Sequence, residues 1–255
     1  ESHTEITDSI NYAKNIQDAL MTSKAYINEA IPESFVFFLP KDVVSGDYYW
    51  VYKYSKDEVF FTVADCTGHG VPGAFMSMIG TSLLNENIVD YKIGDPSEVL
   101  ANMRTKIIES LNDHASKTNN KDGMDMALCK LNLKTRVLEY SGANNPLIHI
   151  SGEELNYVKG NSQPVGLSVI DNKPFTNHKL KLKKGDMIYI YSDGYQDQFG
   201  GPKGKKYMVK RFKTFLKEMS KLTIDEQRVK VQEEFHDWQG KHDQVDDICV
   251  MGIRV

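Results

Sequence analysis

Three runs rich in aromatic and β-branched residues, "SFVFFLP" (34–40), "DYYWVYKY" (47–54) and "EVFFTVAD" (58–65), follow one another with only turns between them. Strands joined this closely pair antiparallel, because a parallel pair needs a crossover of about a dozen residues or more. Helical patterning appears only afterwards. One helix is predicted from Pro72, a residue suited to a first helical turn, to about Val89. A second runs from about Pro96 to His114, with Val99, Leu100, Met103, Ile107 and Leu111 on one face. Strand patterns return at 124–132, 136–142 and 146–151, with "SGANNP" as a turn, and again at 176–182 and 186–192. Helices at 207–219 and 224–238 precede a final strand in "DDICVMGIRV" (246–255). The order is strands, two helices, strands, two helices, strand, which is not the βαβα alternation of a doubly wound sheet. It predicts an α+β fold: an antiparallel β-sandwich flanked by helix pairs, in α-β-β-α layers.

The first residues differ from this block. Ile6, Ile10, Ala13, Gln17 and Leu20 alternate at spacings of four and three, with Asn11, Lys14, Asn15 and Asp18 on the other face. That is a coiled-coil rhythm: such a helix either packs on its own domain or pairs with a second copy of the chain, and the strict spacing and terminal position favour pairing, as a homodimer. Pro32 closes the region, so residues 1–32 are expected to form a regulatory and dimerisation helix with its linker, and 33–255 one globular domain. A start at Glu1 rather than Met suggests a piece of a longer protein. No apolar run approaches the roughly 18 residues a bilayer demands, and no leader is visible. The expectation is a cytoplasmic domain without direct membrane contact, the output part of a larger sensor.

A net charge of −4 leaves no basic excess for nucleic acid. The one basic run, "KGKKYMVKRFK" (203–213), reads as the solvated start of a helix. Cys66, Cys129 and Cys249 lie in or beside apolar runs and read as buried free thiols. A zinc pair of Cys66 and His69 lacks two further ligands at metal-type spacing.

Gly68, Gly70 and Gly73 spell G-x-G-x-x-G, the dinucleotide fingerprint. Asp65 stands just before them, Pro72 removes an amide donor, and no βαβ unit follows, so that reading fails. The acids are the stronger pattern. Asp47 opens one strand, Asp65 ends another, Asp193 ends a third, and Asp246 and Asp247 open the last. A single acid at a strand end is an ordinary solvated cap. Several that converge repel, at roughly 4 kcal/mol for two charges 4 Å apart at an effective dielectric of 20. A converged set stays ionised only around cations, and oxygen ligands select Mg²⁺ or Mn²⁺. Two such ions can orient a water for attack on phosphorus.

The pieces "VSGDYYW", "VADCTGHGVPGAFMS", "YSGANNPLIHI", "QPVGLS", "GDMIYIYSDGYQDQFG" and "DDICVMGI" occur in the order seen in metal-dependent protein phosphatases of the PPM (type 2C-like) superfamily. The chain most resembles the bacterial branch named for the sporulation phosphatase SpoIIE, over roughly residues 34–255. The resemblance implies a PPM-type phosphatase domain with two Mg²⁺ or Mn²⁺ ions. It assigns Asp65 as bridging ligand and the Cys66 carbonyl as its neighbour. Asp193 and Asp246 become further ligands, Asp247 a secondary one, and Asp47 a ligand through water. Asp197 matches a position that can contribute to a third ion. Asp122 and Asp125 fall where some relatives carry another acid, but read as turn or polar surface. His69 either donates a proton to the leaving oxygen or holds its loop. No arginine matches the phosphate-binding arginine of eukaryotic members, and Lys41 is the one basic residue nearby. The implied reaction is hydrolysis of phosphoserine or phosphothreonine on a protein, in this branch often a STAS-type anti-sigma-factor antagonist. Two other classes stand beside it: a catalytically weak dimerisation module that binds a partner protein, and a two-metal nuclease, which the missing basic surface disfavours.

Overall fold

The computed structural model describes residues 2–112, 120–169 and 173–255. Strands β1 (Ser34–Leu39), β13 (Ile248–Arg254), β10 (Met187–Tyr191), β6 (Leu147–Ser151) and β7 (Glu154–Val158) form one antiparallel sheet in that order. The second sheet orders β2 (Asp47–Lys53), β3 (Glu58–Cys66), β4 (Gly123–Asn132), β5 (Val137–Ala143) and β9 (His178–Lys181), with β8 (Val165–Gly166) beside β4. Helices α3 (Gly70–Leu84) and α4 (Pro96–Leu111) cover the outer face of the second sheet. Helices α6 (Val209–Met219) and α7 (Ile224–Gln239) cover that of the first. The expected α-β-β-α sandwich is what the chain forms.

The continuous apolar runs follow from this layering, since a sheet covered on both faces buries successive residues on opposite sides. In β3, Val59, Phe61 and Val63 enter the core between the sheets, while Phe60, Ala64 and Cys66 meet the helices. In β10, Ile188 and Ile190 point inward and Met187, Tyr189 and Tyr191 face α6 and α7. Cys129 and Cys249 sit in the inter-sheet core, and all three cysteines are buried and free.

Boundaries differ in instructive places. The helix expected from Pro72 begins at Gly70, becomes π-helical over Asn85–Asp90, and so reaches past Val89. Asp95 caps α4, accepting the Ser97 N–H at 2.8 Å ahead of Pro96. His114, the expected end of that helix, lies outside the described residues. The last strand starts at Ile248, so Asp246 and Asp247 form the turn before it. Five small features were not anticipated: α2 (Lys24–Ala30), β7, β8, α5 (Gly194–Asp197), and the hairpin of β11 (Phe199–Gly200) with β12 (Lys205–Lys206). Helix α2 belongs to the sandwich, because Ile27, Ala30 and Ile31 are buried in the inter-sheet core.

The heptad segment is helix α1 (Ser2–Leu20), and it touches the domain mainly through its last turns. Ile6 and Leu20 are 56% and 43% exposed, and Ile10 and Ala13 are half-buried. Gln17 alone is buried. Its Nε2 donates to the Ser45 carbonyl (2.6 Å) and to Ser77 Oγ (2.9 Å), and its Oε1 accepts the Ser45 N–H (2.9 Å). One amide thus ties α1 to the loop before Asp47 and to α3.

Candidate metal centre

The register of the second sheet builds the first half of the site. Asp47 on β2 lies opposite Asp65 on β3, and Asp65 lies opposite Asp125 on β4. Directly opposed residues project to the same face of a sheet, so three carboxylates form a row across its end. The first sheet supplies the other half, since Asp193 follows β10 and Asp246 precedes β13, which are paired neighbours. Carboxylate oxygens of Asp65, Asp193 and Asp246 lie within 4.8 Å of one another.

These acids line a cleft of about 420 Å³ together with Lys41, Cys66, His69 and Asp125. Among the described residues four carboxylates therefore face one lysine. Burial, then Asp47 and Asp193, pushes the Asp65 carboxyl up to about 12. Asp246 is raised to about 6, chiefly by burial, and Asp125 is raised by burial against the pull of Asn144. Asp193 Oδ1 is buried with no hydrogen-bond partner among the described residues. Without a cation Asp65 holds a proton at neutral pH, and an orphaned carboxylate oxygen is what a ligand atom looks like before its ion is counted. The donor set, all oxygen, fits Mg²⁺ or Mn²⁺.

The remaining expected residues occupy distinct places. Asp47 is fully buried beneath the cleft, accepts a hydrogen bond from Ser192 Oγ, and is held well above the usual carboxylate range by burial. Asp247 is also buried, and its two oxygens accept the Lys41 N–H (2.8 Å) and the Gly46 N–H (2.9 Å). That leaves Asp246 to face the cleft. Asp197 stands outside the cluster, 3.7 Å from Lys206 Nζ. Asp122 does not line the cleft, whereas Asp125 does. Cys66 lines it at the end of β3, its N–H bonded to the Gly46 carbonyl at 3.1 Å. His69 precedes α3, lies open to solvent, and places Nδ1 2.9 Å from Asp42 Oδ2.

The glycine loop serves close packing. A Cβ on Gly73 would stand 2.9 Å from both the Gly46 Cα and the Gly68 carbonyl oxygen. The first turn of α3 therefore rests directly on the loop that carries Asp47. The G-x-G-x-x-G spacing reflects this contact rather than a nucleotide.

The sequence profile of the family described as "Stage II sporulation protein E (SpoIIE)" matches residues 55–255. The chain belongs to the SpoIIE family. Its fold is that of PP2C phosphatase domains, a metal-dependent class. The chain is 27% identical over 192 residues to the "Phosphoserine phosphatase RsbU" of Bacillus subtilis, covering 74% of this chain and 54% of that protein. It thus spans about half the length of that curated relative. Among solved structures it is similar to the SiaA-PP2C domain of Pseudomonas aeruginosa, with a TM-score of 0.88 and 28% identity over 100% of this chain and 99% of that one. It shares the fold of RsbX, a structure in complex with magnesium, at a TM-score of 0.61 and 18% identity, covering 87% and 94%. Among the described residues no helix is long and apolar enough to cross a membrane.

Proposed function

We propose that this SpoIIE-family domain hydrolyses phosphoserine or phosphothreonine on a protein in bacterial signalling, using two Mg²⁺ or Mn²⁺ ions held in the acidic cleft. The observation that carries the reading is the convergence of Asp65, Asp193 and Asp246 in a cleft that holds one lysine among the described residues. When bound, such ions supply Lewis-acid activation of water and neutralisation of phosphate charge. Asp65, central in the carboxylate row, would be the ligand shared by the ions, with the Cys66 carbonyl beside it. Asp193 and Asp246 would complete the set, and Asp47, which Ser192 holds below the cleft, would contribute through a water. Asp247 is a secondary contributor that shapes the turn carrying Asp246, and Asp197 stands at the margin of a third position. His69 supplies the proton to the leaving seryl oxygen. Asp42 holds its Nδ1, and Nε2 has no partner among the described residues.

The similarity to a phosphoserine phosphatase supports the substrate class, and the branch resemblance favours a STAS-type partner, met in the cytoplasm. The test is phosphate release from p-nitrophenyl phosphate and from a phosphoserine protein, with Mn²⁺ and with EDTA. Release only with the metal is expected. A folded protein that releases none with Mn²⁺ is a partner-binding module instead.

In this reading the regulatory segment is α1, within residues 1–32, and residues 33–255 form the catalytic domain, whose core also takes in α2. The apolar stripe of Ile6, Ile10, Ala13 and Leu20, exposed at Ile6 and Leu20 and half-buried between them, pairs with that of a second copy. Ile6→Glu with Ile10→Glu should convert a dimer to a monomer in sedimentation; the same mass for both proteins would sink the pairing. Gln17 is the link from that helix to the site. Gln17→Ala leaves the Ser45 amide and carbonyl without partners in a buried place, at about 1–3 kcal/mol for an unsatisfied group. We expect a melting temperature lower by several degrees and turnover of p-nitrophenyl phosphate reduced about tenfold, because the Ser45–Asp47 loop loses its anchor. Wild-type stability and turnover in this variant would remove Gln17 from the account.

A further inference from the structure

The basic run does not lie flat on a solvated helix. The β11–β12 hairpin, the start of α6 and the end of α7 enclose a groove of about 760 Å³. Lys203, Lys205, Lys206, Lys210 and Arg211 line it with Trp238, and among the described residues no carboxylate does. Lys203, Lys205 and Lys210 have no ion-pair partner among the described residues. Arg211 lies over the Trp238 ring, 4.3 Å from its centroid. Met208 is 56% exposed and holds φ at +73°, a conformation rare for a side-chain-bearing residue. Its N–H bonds to the Gln196 carbonyl at 2.8 Å, three residues beyond Asp193. Lys206 reaches Asp197 on the same short helix. A cationic groove with an apolar lip thus adjoins the acidic cleft, in a chain whose net charge is −4.

We propose that this groove docks an acidic segment of the phosphoprotein whose phosphoseryl group enters the cleft, a reading that rests on the phosphatase assignment. Charge complementarity selects the occupant, since unpaired lysines beside an exposed methionine and a tryptophan suit carboxylates interspersed with apolar residues. The groove's continuity with α5 makes that occupant the substrate rather than an unrelated partner. A nucleic acid would use the same cations, but the acids of the neighbouring cleft would repel its continuous phosphate backbone.

The test uses the whole chain loaded with Mn²⁺ and two phosphoserine peptides, one flanked by glutamates and one by glutamines. The wild type should prefer the acidic peptide in kcat/KM by about tenfold at low salt. Lys203→Gln/Lys205→Gln/Lys210→Gln should erase that preference while leaving p-nitrophenyl phosphate turnover unchanged. Fluorescence anisotropy of the unphosphorylated acidic peptide reads the groove without turnover, and the triple variant should weaken binding to the same extent. A preference retained by the triple variant, or absent from the wild type, overturns the proposal. So does a single-stranded oligonucleotide that binds the groove more tightly than the peptide. Lysine-dependent peptide binding with no phosphate release from any substrate would retire the phosphatase reading and leave the groove as an acidic-peptide site.

Discussion

Asp65→Asn is expected to lower Mn²⁺-dependent turnover by about a thousandfold or more while leaving the metal-free protein as stable as the wild type, or slightly more so. The two halves have one cause. Asp65 occupies the middle of the carboxylate row, opposite Asp47 on one side and Asp125 on the other, with Asp193 and Asp246 within 4.8 Å of its oxygen. Burial and those neighbours push its carboxyl up to about 12, so at neutral pH without a cation it holds a proton. Asparagine copies the shape and neutrality of that state, and the metal-free fold loses nothing. With ions present the comparison inverts. A ligand at a hundred times its dissociation constant stabilises the wild type by about 2.7 kcal/mol, or roughly 5–10 °C for a domain of this size. A bridging position filled by an amide forfeits that increment together with the turnover. Paired melting curves in EDTA and in Mn²⁺, read beside p-nitrophenyl phosphate hydrolysis, check both halves. A variant that keeps the Mn²⁺ increment and its activity would falsify the metal assignment at Asp65.

Why Asp65 was legible in the sequence and Asp125 was not has a physical answer. Asp65, Asp193 and the Asp246–Asp247 pair stand where long apolar runs stop, and both faces of those runs are buried, so the stops are sharp. Asp125 sits third in β4, flanked by Met124 and Met126, where a polar residue looks like ordinary alternation. Only the pairing register brings it level with Asp65 and Asp47, and register is a property of two strands at once. The choice between Asp246 and Asp247 is likewise spatial. Asp247 is withdrawn from the cleft because amides of Lys41 and Gly46, some two hundred residues away, take both its oxygens. Gln17 fits the four-three rhythm as well as Ile10 does, yet that rhythm carries no information about an amide that hydrogen-bonds a loop and α3. Helix α2 and the β11–β12 hairpin escaped for a simpler reason: at seven residues, and at two per strand, no periodicity can develop. The basic run around the hairpin was visible as composition, but the groove it lines exists only once Trp238 of α7 closes the far side.

Gly194→Ala should disable the site without touching any ligand. Gly194 follows Asp193 in the "SDG" turn and starts α5, and a Cβ placed on it would meet the Asp247 carbonyl oxygen at 2.0 Å. Such contacts essentially never fall below 3.0 Å, so the α5 turn and the Asp246–Asp247 turn must part by about 1.0 Å, the difference between the two. Both obstructing atoms belong to backbone, and no rotamer change relieves the clash. Overpacking of this kind costs about 1–3 kcal/mol, or roughly 2–10 °C of melting temperature in a domain of this size. The functional effect is larger, because the displaced turns carry Asp193 and Asp246, two of the three clustered acids. Ligand distances in a metal site tolerate only about 0.2 Å, and disturbing the groups that orient ligands commonly lowers affinity by 10–100-fold. The expected result is a Mn²⁺ titration, followed by thermal shift, displaced about a hundredfold or more to higher concentration, with turnover falling in parallel at limiting metal. A melting temperature lowered in EDTA alongside an unchanged Mn²⁺ midpoint would mean that the two turns move together. In that case the Gly194 contact would be a packing constraint only, and the spacing of Asp193 from Asp246 would be set by the paired strands β10 and β13 beneath them.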